Sequence, residues 1–385
     1  MSFVRFDTYT FEIHEGDTQL IGERLKSARG DRGWTLDALS AHTGITASSL
    51  SDFENGKREP RLTHLESLSK AYGTSVAWFF EDQPAESDVV LWRERPTNDD
   101  AAAIEGQFLK HCRWYRNLEE WCDERLPCHL PDVKGDPSRI DWSEVQVLAS
   151  DVRNLLDLGQ QPAASLLNVL ENSCGIRIFH LHFEPSGAAA CTRSDEFGMA
   201  ILLNASNVRW RRNFSLAHEL FHLLTWKVFR TEKHSREASE QEESFANAFA
   251  SNLLIPEDPL RRAVGNASES QGSLKHIEIF DIARQFDVSF EALLWRMHSV
   301  FNRKREDTKH DIEVCSAFRD TADVREDTTP PPLPARYRAL ATRALRDGEL
   351  SIGRAAEYLG LSRQEAMALD DLEDVTDDAI TLSST

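Results

Sequence analysis

The 385-residue chain has no uncharged apolar stretch near the roughly 18 residues that a membrane-spanning helix requires. With 41% hydrophobic and 28% charged residues, it fits neither a membrane bundle nor a disordered chain. Cysteine is scarce: the six at 112, 122, 128, 174, 191 and 315 show no CxxC spacing and are too sparse to staple a chain this long. They are expected to be reduced thiols, with no disulfide. The opening residues, MSFVRFDTYTFEIHEGD, lack a basic segment leading into an apolar run and lack a small-residue cleavage site, which predicts a cytoplasmic protein. Positive charge is short as well, with 44 Lys+Arg against 64 Asp+Glu and a net charge of −20. Nonspecific polyanion binders gain affinity through many cations, so any nucleic-acid contact here must be local.

What is present suits two or three domains. Residues 18–82 read as short amphipathic helices broken at Gly33, Gly44, Asn55-Gly56 and Gly73. Residues 83–105 mix Pro, acids and small residues and read as a linker, in which Leu91-Trp92 offers a docking point. Trp114, Tyr115, Leu118, Trp121 and Cys122 give the next segment a helix with an aromatic core-facing side. Helices over 145–158 and 162–173 lead to two β-prone runs, 175–183 and 198–204, with 184–195 between them read as a turn or loop that holds Cys191. Helices follow over 208–226, over 236–255 with a stop at Pro256, and over 273–286 and 289–301. Beyond Arg303 the chain is charged, with prolines at 330–334, and 335–372 reads as a small helical C-terminal unit.

The stretch WTLDALSAHTGITASSLSDFENGKREP has a helix-turn-helix layout. Leu36 and Leu39 lie on one helix, Gly44 supplies the positive φ of a sharp turn, and Leu50 and Phe53 lie on the second helix. Thr46, Ala47, Ser48, Ser49, Ser51 and Asp52 are then left facing outward, with side chains short enough for the helix to approach base edges. Lys57, Arg58 and Arg61 follow where cations reach phosphates. Residues 18–82 hold eight basic and nine acidic residues, so this module is not basic overall and dimerisation would strengthen its binding.

A second pattern carries metal chemistry. In RRNFSLAHELFHLLTW, His218 and His222 are one helical turn apart and project from one face, so both can ligate one ion. Glu219 is placed to hold and deprotonate an attacking water. The helix is nearly apolar all round, hence buried, and buried histidines and a glutamate need a partner such as a metal. A third ligand is expected from SEQEESFANAFASNLLIP. Glu243 lies on or beside its apolar stripe, Glu242 shares a face with Phe245, Ala246 and Phe249, and Glu240 is expected in solvent. Asn247, four residues after Glu243, is a candidate for orienting a ligand.

The segment Ile21–Phe80 resembles the XRE/Cro–repressor family of helix-turn-helix domains, down to ENGKREP and LTHLESLSKAYGTS. The resemblance implies a five-helix DNA-binding domain that acts on operator DNA as a homodimer. The strand ending at Asn204, the helix Asn213–Leu224, the helix Glu243–Pro256 and the later FDVSFEALLWRM together resemble the ImmA/IrrE family of gluzincin metallopeptidases, over roughly residues 145–300. Carried over, the resemblance implies Zn2+ held by His218, His222 and Glu243, with Glu219 as general base. Phe221 departs from the family, which usually has Gly there, and no motif marks a transition-state stabiliser.

The expected architecture is therefore a mainly α, multidomain chain. It has an XRE-like DNA-binding domain at 18–82, a linker at 83–105, an α+β gluzincin-like zinc metallopeptidase domain with a small sheet at 106–302, and a helical unit at 335–372. The expected activity is a DNA-binding regulator with a zinc endopeptidase that cleaves a repressor or other protein partner, without membrane contact. The alternative is a non-proteolytic antitoxin or repressor that uses the same fold as a sensing or toxin-docking module. His180 and His182 alternate on a strand as partly exposed residues, Cys112, Cys122 and Cys128 fit no zinc-finger spacing, and the acidic run after Asp370 reads as a solvated tail.

Overall fold

The computed structural model describes residues 15–371 except 32–33, 73–75, 81–87, 97–99, 185–188, 231–236, 269–273, 324 and 327–328. The chain falls into two units, one containing residues up to 88 with 99–110 and the other containing 89–98 with the rest from 111 onward. The breaks expected at Gly33 and Gly73, and the acidic tail beyond residue 371, lie outside the described residues.

The first unit holds helices α1 (Glu15–Asp31), α2 (Leu36–Thr43), α3 (Ala47–Glu54) and α4 (Leu62–Tyr72), then a short 3-10 helix, Ala77–Phe80. Ile21, Leu25, Leu39, Leu50, Phe53, Leu65, Leu68 and Phe79 form its core. Helix α2 starts at Thr35, whose hydroxyl accepts from the Ala38 N–H, and ends at Gly44 with φ +70°. That left-handed cap turns the chain into α3, as the sequence leads one to expect. Helices α1 and α3 touch closely at Gly22, where a Cβ would stand 2.7 Å from the Phe53 carbonyl oxygen.

In the second unit, helix α5 (Asp100–Trp121), counted from His111, is followed by α6 (Trp142–Leu155) and α7 (Leu166–Asn172), which precede the sheet. The sheet has four strands, β1 (Val90–Trp92), β2 (Arg177–Leu181), β3 (Ala189–Ser194) and β4 (Gly198–Asn204), in the order β1-β3-β4-β2. β3 pairs antiparallel with both β1 and β4, and β2 pairs parallel with β4. Two expectations are corrected here. Half of the segment read as a loop, 184–195, is the inner strand β3, and Cys191 sits within it. Ala189, Ala190, Cys191 and Thr192 are fully buried there, and such small residues let helix α8 (Arg209–Leu224) lie directly on the sheet. The segment read as a linker, 83–105, contains edge strand β1, all three residues of which are buried, as well as the start of α5.

Helix α8 continues into α9 (Trp226–Phe229), and α10 (Glu240–Leu254) packs against both α8 and α6. From Ser215 to Leu224 every residue of α8 is buried, as its apolar circumference requires. Helices α11 (Glu257–Ser268), α12 (His276–Phe286), α13 (Phe290–Val300) and α14 (Arg305–Ala322) follow. The prolines then bring the chain along the outer edge of β2, where the His180 N–H donates to the Pro332 carbonyl. Helices α15 (Ala335–Arg346), α16 (Ile352–Leu359) and α17 (Arg363–Asp371) belong to this same unit. They cover the aromatic face of α5. Trp114 stacks on Tyr358 at 4.3 Å, and Tyr337 meets Tyr115 edge-on at 5.2 Å. Beneath them the buried Glu119 carboxylate holds both Arg177 and Arg336.

Candidate metal centre and nucleic-acid interface

Helical spacing on α8 brings His218 and His222 onto one face, and α10 crosses so that the Glu243 carboxylate meets them. The two Nε2 atoms are 3.2 Å apart, and Glu243 places Oε2 3.2 Å from His218 Nε2 and Oε1 3.4 Å from His222 Nε2. Donors at 2.0–2.1 Å from a tetrahedral ion stand about 3.4 Å from one another, so this triangle has the size of a zinc ligand set. Among the described residues no other three His, Cys, Asp or Glu side chains converge in this way.

The outer ring nitrogens fix the tautomers. His222 Nδ1 lies 2.8 Å from Glu242 Oε1, and His218 Nδ1 lies 3.1 Å from Asn247 Oδ1. Both partners are acceptors, so each Nδ1 carries the hydrogen and each Nε2 presents a lone pair. Two lone pairs and a carboxylate facing one another in a buried site repel unless a cation lies between them. Glu242, which sequence reasoning left open as a ligand, thus stands behind His222 on the side away from the triangle. Arg230 Nη2 donates to the same Glu242 oxygen at 2.6 Å, and Arg93 Nη2 donates to Asn247 Oδ1 at 3.3 Å. Each histidine is therefore backed by a side chain of α10 and then by an arginine. Neither arginine was found by sequence reasoning: Arg93 lies in the segment read as a linker, and no motif marks Arg230.

Glu219 is fully buried on α8 beside Cys191 of β3, and neither carboxylate oxygen has a hydrogen-bond partner. Burial pushes its pKa up to about 7 against the opposing pull of His222 and Arg93. Burial lowers His218, whereas for His222 the negative charge of the neighbouring carboxylates, Glu242 first, outweighs burial and raises it. The two histidines hold Glu243 well below the usual carboxylate range in spite of its burial. Phe221 meets the His222 ring edge-on at 5.9 Å. Its ring packs 5.6 Å from Phe249 and lines a separate cavity of about 400 Å³ with Thr225, Val228 and residues of α6. Of the residues set aside, His180 is buried and its Nε2 lacks a partner, and Cys112 and Cys122 are buried while Cys128 is exposed.

In the first unit, Thr46, Ser48, Lys57 and Arg58 are exposed, and Ala47, Ser49, Ser51 and Asp52 are half-buried. Thr46 caps α3, accepting from the Ser49 N–H at 3.3 Å, so its hydroxyl is committed to the helix. The Asp52 carbonyl accepts from the N–H groups of Lys57 and Arg58, which fixes the turn that carries both cations. Arg58 lies over the Phe53 ring at 5.8 Å.

Comparison with known proteins adds two family matches, each over part of the chain. Residues 25–79 match the helix-turn-helix family, and residues 171–298 match the peptidase M78 family, described as the IrrE N-terminal-like domain. The chain is 26% identical over 130 residues to repressor protein C2 of Salmonella phage P22, a match spanning 31% of this chain and 60% of that protein. It is 33% identical over 72 residues to the HTH-type transcriptional regulator PuuR of Escherichia coli, spanning 18% of this chain and 39% of that one. The chain therefore spans less than two thirds of the length of these relatives. Among solved structures, the apo form of the competence regulator ComR from Streptococcus vestibularis aligns with 93% of this chain and 99% of its own at 14% identity, with a TM-score of 0.17.

Proposed function

We propose that the chain is a DNA-binding regulator of the XRE helix-turn-helix type whose IrrE-like peptidase M78 domain is a zinc endopeptidase that cleaves a protein partner. The observation that carries this reading is the convergence of two tautomer-fixed Nε2 atoms and the Glu243 carboxylate beside a buried Glu219 with no hydrogen-bond partner. The residues fit Zn2+, with His218, His222 and Glu243 as ligands. When bound, the ion would polarise a substrate carbonyl and acidify water.

The rest of the chemistry belongs to the side chains. Glu219 takes a proton from water as the water oxygen bonds to the carbonyl carbon, and the C=O π pair moves onto the carbonyl oxygen. When that pair returns, the C–N bond breaks and the Glu219 carboxylic acid delivers its proton to the departing amine nitrogen. Burial that keeps Glu219 near a pKa of 7 suits a group that must both accept and release a proton.

The first domain reads operator DNA through α3 in the major groove. Ala47, Ser48, Ser49, Ser51 and Asp52 lie nearest the bases and Lys57 and Arg58 at phosphates, with Thr46 holding the helix start. A homodimer supplies the affinity that a near-neutral module lacks. Tethering the peptidase to the DNA reader raises the local concentration of any repressor bound at the same operator. The match to a repressor supports the regulatory half of this reading.

Metal content and cleavage test the proposal together. The full chain should carry about one zinc, His222→Ala should lose it, and Glu219→Gln should keep zinc and fold while cleavage falls by about 100-fold or more. Cleavage that survives in Glu219→Gln would overturn the mechanism. A zinc-loaded protein that binds its operator tightly and cleaves nothing would favour the non-proteolytic antitoxin or repressor.

A further inference from the structure

One cation beside the metal centre has no counter-charge. Arg93 directly follows edge strand β1, and its N–H donates to the Ala189 carbonyl at 3.1 Å, which ties its backbone to β3. Its half-buried side chain reaches over the Phe214 ring at 5.8 Å, one helical turn before His218, and touches Asn247, the side chain that holds His218. In a chain with 64 acidic residues, the guanidinium forms no ion pair among the described residues. Arg230, its counterpart behind His222, is paired with Glu242 at 2.6 Å.

The local charges can be counted. A zinc dication is balanced by Glu219 and Glu243, and Arg230 balances Glu242, so the positive charge of Arg93 is left over. No net charge arrives during amide hydrolysis: as Glu219 is neutralised by the proton of water, the negative charge it held moves onto the carbonyl oxygen, and a cation with no carboxylate of its own is suited to meet it there.

We propose that Arg93 is a catalytic residue whose guanidinium contacts the carbonyl oxygen of the scissile peptide bond and stabilises the charge that develops there. The inference rests on the peptidase reading. The Nη2 contact with Asn247 anchors one arm of the fork and leaves Nη1 and Nε for the substrate.

The test uses the zinc-loaded full chain, Arg93→Ala and Arg93→Lys, with two small probes read by calorimetry. N-phosphoryl-leucinamide carries a tetrahedral anion like the charge-bearing intermediate, and leucine hydroxamate is a metal chelator without that anion. Arg93→Ala should bind the phosphoryl probe about 100-fold more weakly, Arg93→Lys should recover part of that loss, and both variants should keep hydroxamate affinity and zinc content near wild type. On a synthetic peptide mixture, kcat should fall about 100-fold or more in Arg93→Ala with little change in KM. Equal losses for both probes, or lost zinc, would reduce Arg93 to a positioning residue acting through Asn247 and overturn the proposal. So would a wild-type chain that binds no phosphoryl probe. A wild-type chain that cleaves peptides alongside an equally active Arg93→Ala sinks the inference and leaves the peptidase reading standing. Selective loss of the phosphoryl probe in a chain that cleaves nothing leaves an anion site without a reaction and sinks both the peptidase reading and the catalytic role of Arg93.

Discussion

Around α3 of the first unit, polar side chains are satisfied by near neighbours. Thr46 caps its own helix, the Asn55 amide donates to the Ser51 carbonyl at 2.7 Å, and the Asp52 carbonyl fixes the following turn. Its Arg29–Glu54 fork closes at 2.6 and 2.8 Å between residues 25 apart. Around α8 the buried polar atoms are held from far along the chain: Asn247 behind His218 is 29 residues away and Arg93 behind Asn247 is 154 away. Glu219 lies against the Cys191 thiol of β3, and neither of its carboxylate oxygens meets a nitrogen or oxygen donor among the described residues. A helix such as α3, whose own polar groups are mostly satisfied within a turn or two, can keep its shape while its outer surface changes. A unit whose buried charges depend on distant partners is fixed by those partners, and what it leaves unsatisfied marks where a ligand belongs.

The largest test of this contrast sets Glu119 against Glu54. Glu119→Ala leaves Arg177 and Arg336 buried without their carboxylate and should destabilise the second unit by about 3–5 kcal/mol. Glu54→Ala should destabilise the first unit by only about 2 kcal/mol, because the Arg29 side chain is 19% exposed and can turn to water. Urea midpoints for both variants check the order, and equal losses would erase the contrast. A pH effect follows next. Burial raises the pKa of Glu171 on α7 from 4.5 to about 7. The folded state holds that proton more tightly, so the contribution is fully present below pH 4.5 and is lost as pH rises through 7. Glu171→Gln should therefore be more stable than wild type by about 2–3 kcal/mol at pH 8 and nearly equal to it at pH 4. Thermal unfolding across that range is the measurement, and a pH-independent difference would refute it.

The backing side chains of the metal centre come third. Glu242→Ala and Asn247→Ala should each lower zinc affinity about 10- to 100-fold, with Glu242→Ala the larger because it also strands Arg230. Competition against a chelator of known affinity measures this. If neither moves affinity, the tautomers are set some other way.

The same contrast explains what could be read in advance. The first unit was legible because its signals are local: Gly44 at a left-handed cap and leucines at helical spacing. His218 and His222 were legible because one helical turn puts them together, with Glu219 beside them, whereas Glu243 was singled out from Glu242 only by the family resemblance. Strand β3 was not, because Ala189-Ala190-Cys191-Thr192 carries no β-branched alternation and owes its strand to α8 packed on top. Strand β1 was hidden by its length of three residues in a polar setting, and its pairing with β3 lies about a hundred residues away. Arg93 and Arg230 were invisible for the same reason. Their roles exist only once β1, α9 and α10 are assembled, and no spacing in the chain announces them.

The smallest expected effect returns to α3. Thr46 was read as one of the residues facing DNA, yet its hydroxyl accepts from the Ser49 N–H, so its main contribution is to the helix start. Losing such a cap costs about 1 kcal/mol, because one N–H at the first turn loses its acceptor. Thr46→Ala should therefore lower the stability of the first unit by about that amount, Thr46→Ser should restore most of it, and zinc content should not change. If the cap is the whole story, both variants bind DNA with the same salt dependence as wild type, since no phosphate-neutralising cation has been removed. Lys57→Ala, by contrast, should leave stability unchanged and lower the slope of log affinity against log salt by about one. A Thr46→Ala variant that folds as firmly as wild type yet loses DNA binding would assign the hydroxyl to the nucleic acid, and the self-sufficiency of this unit would no longer hold at its recognition helix.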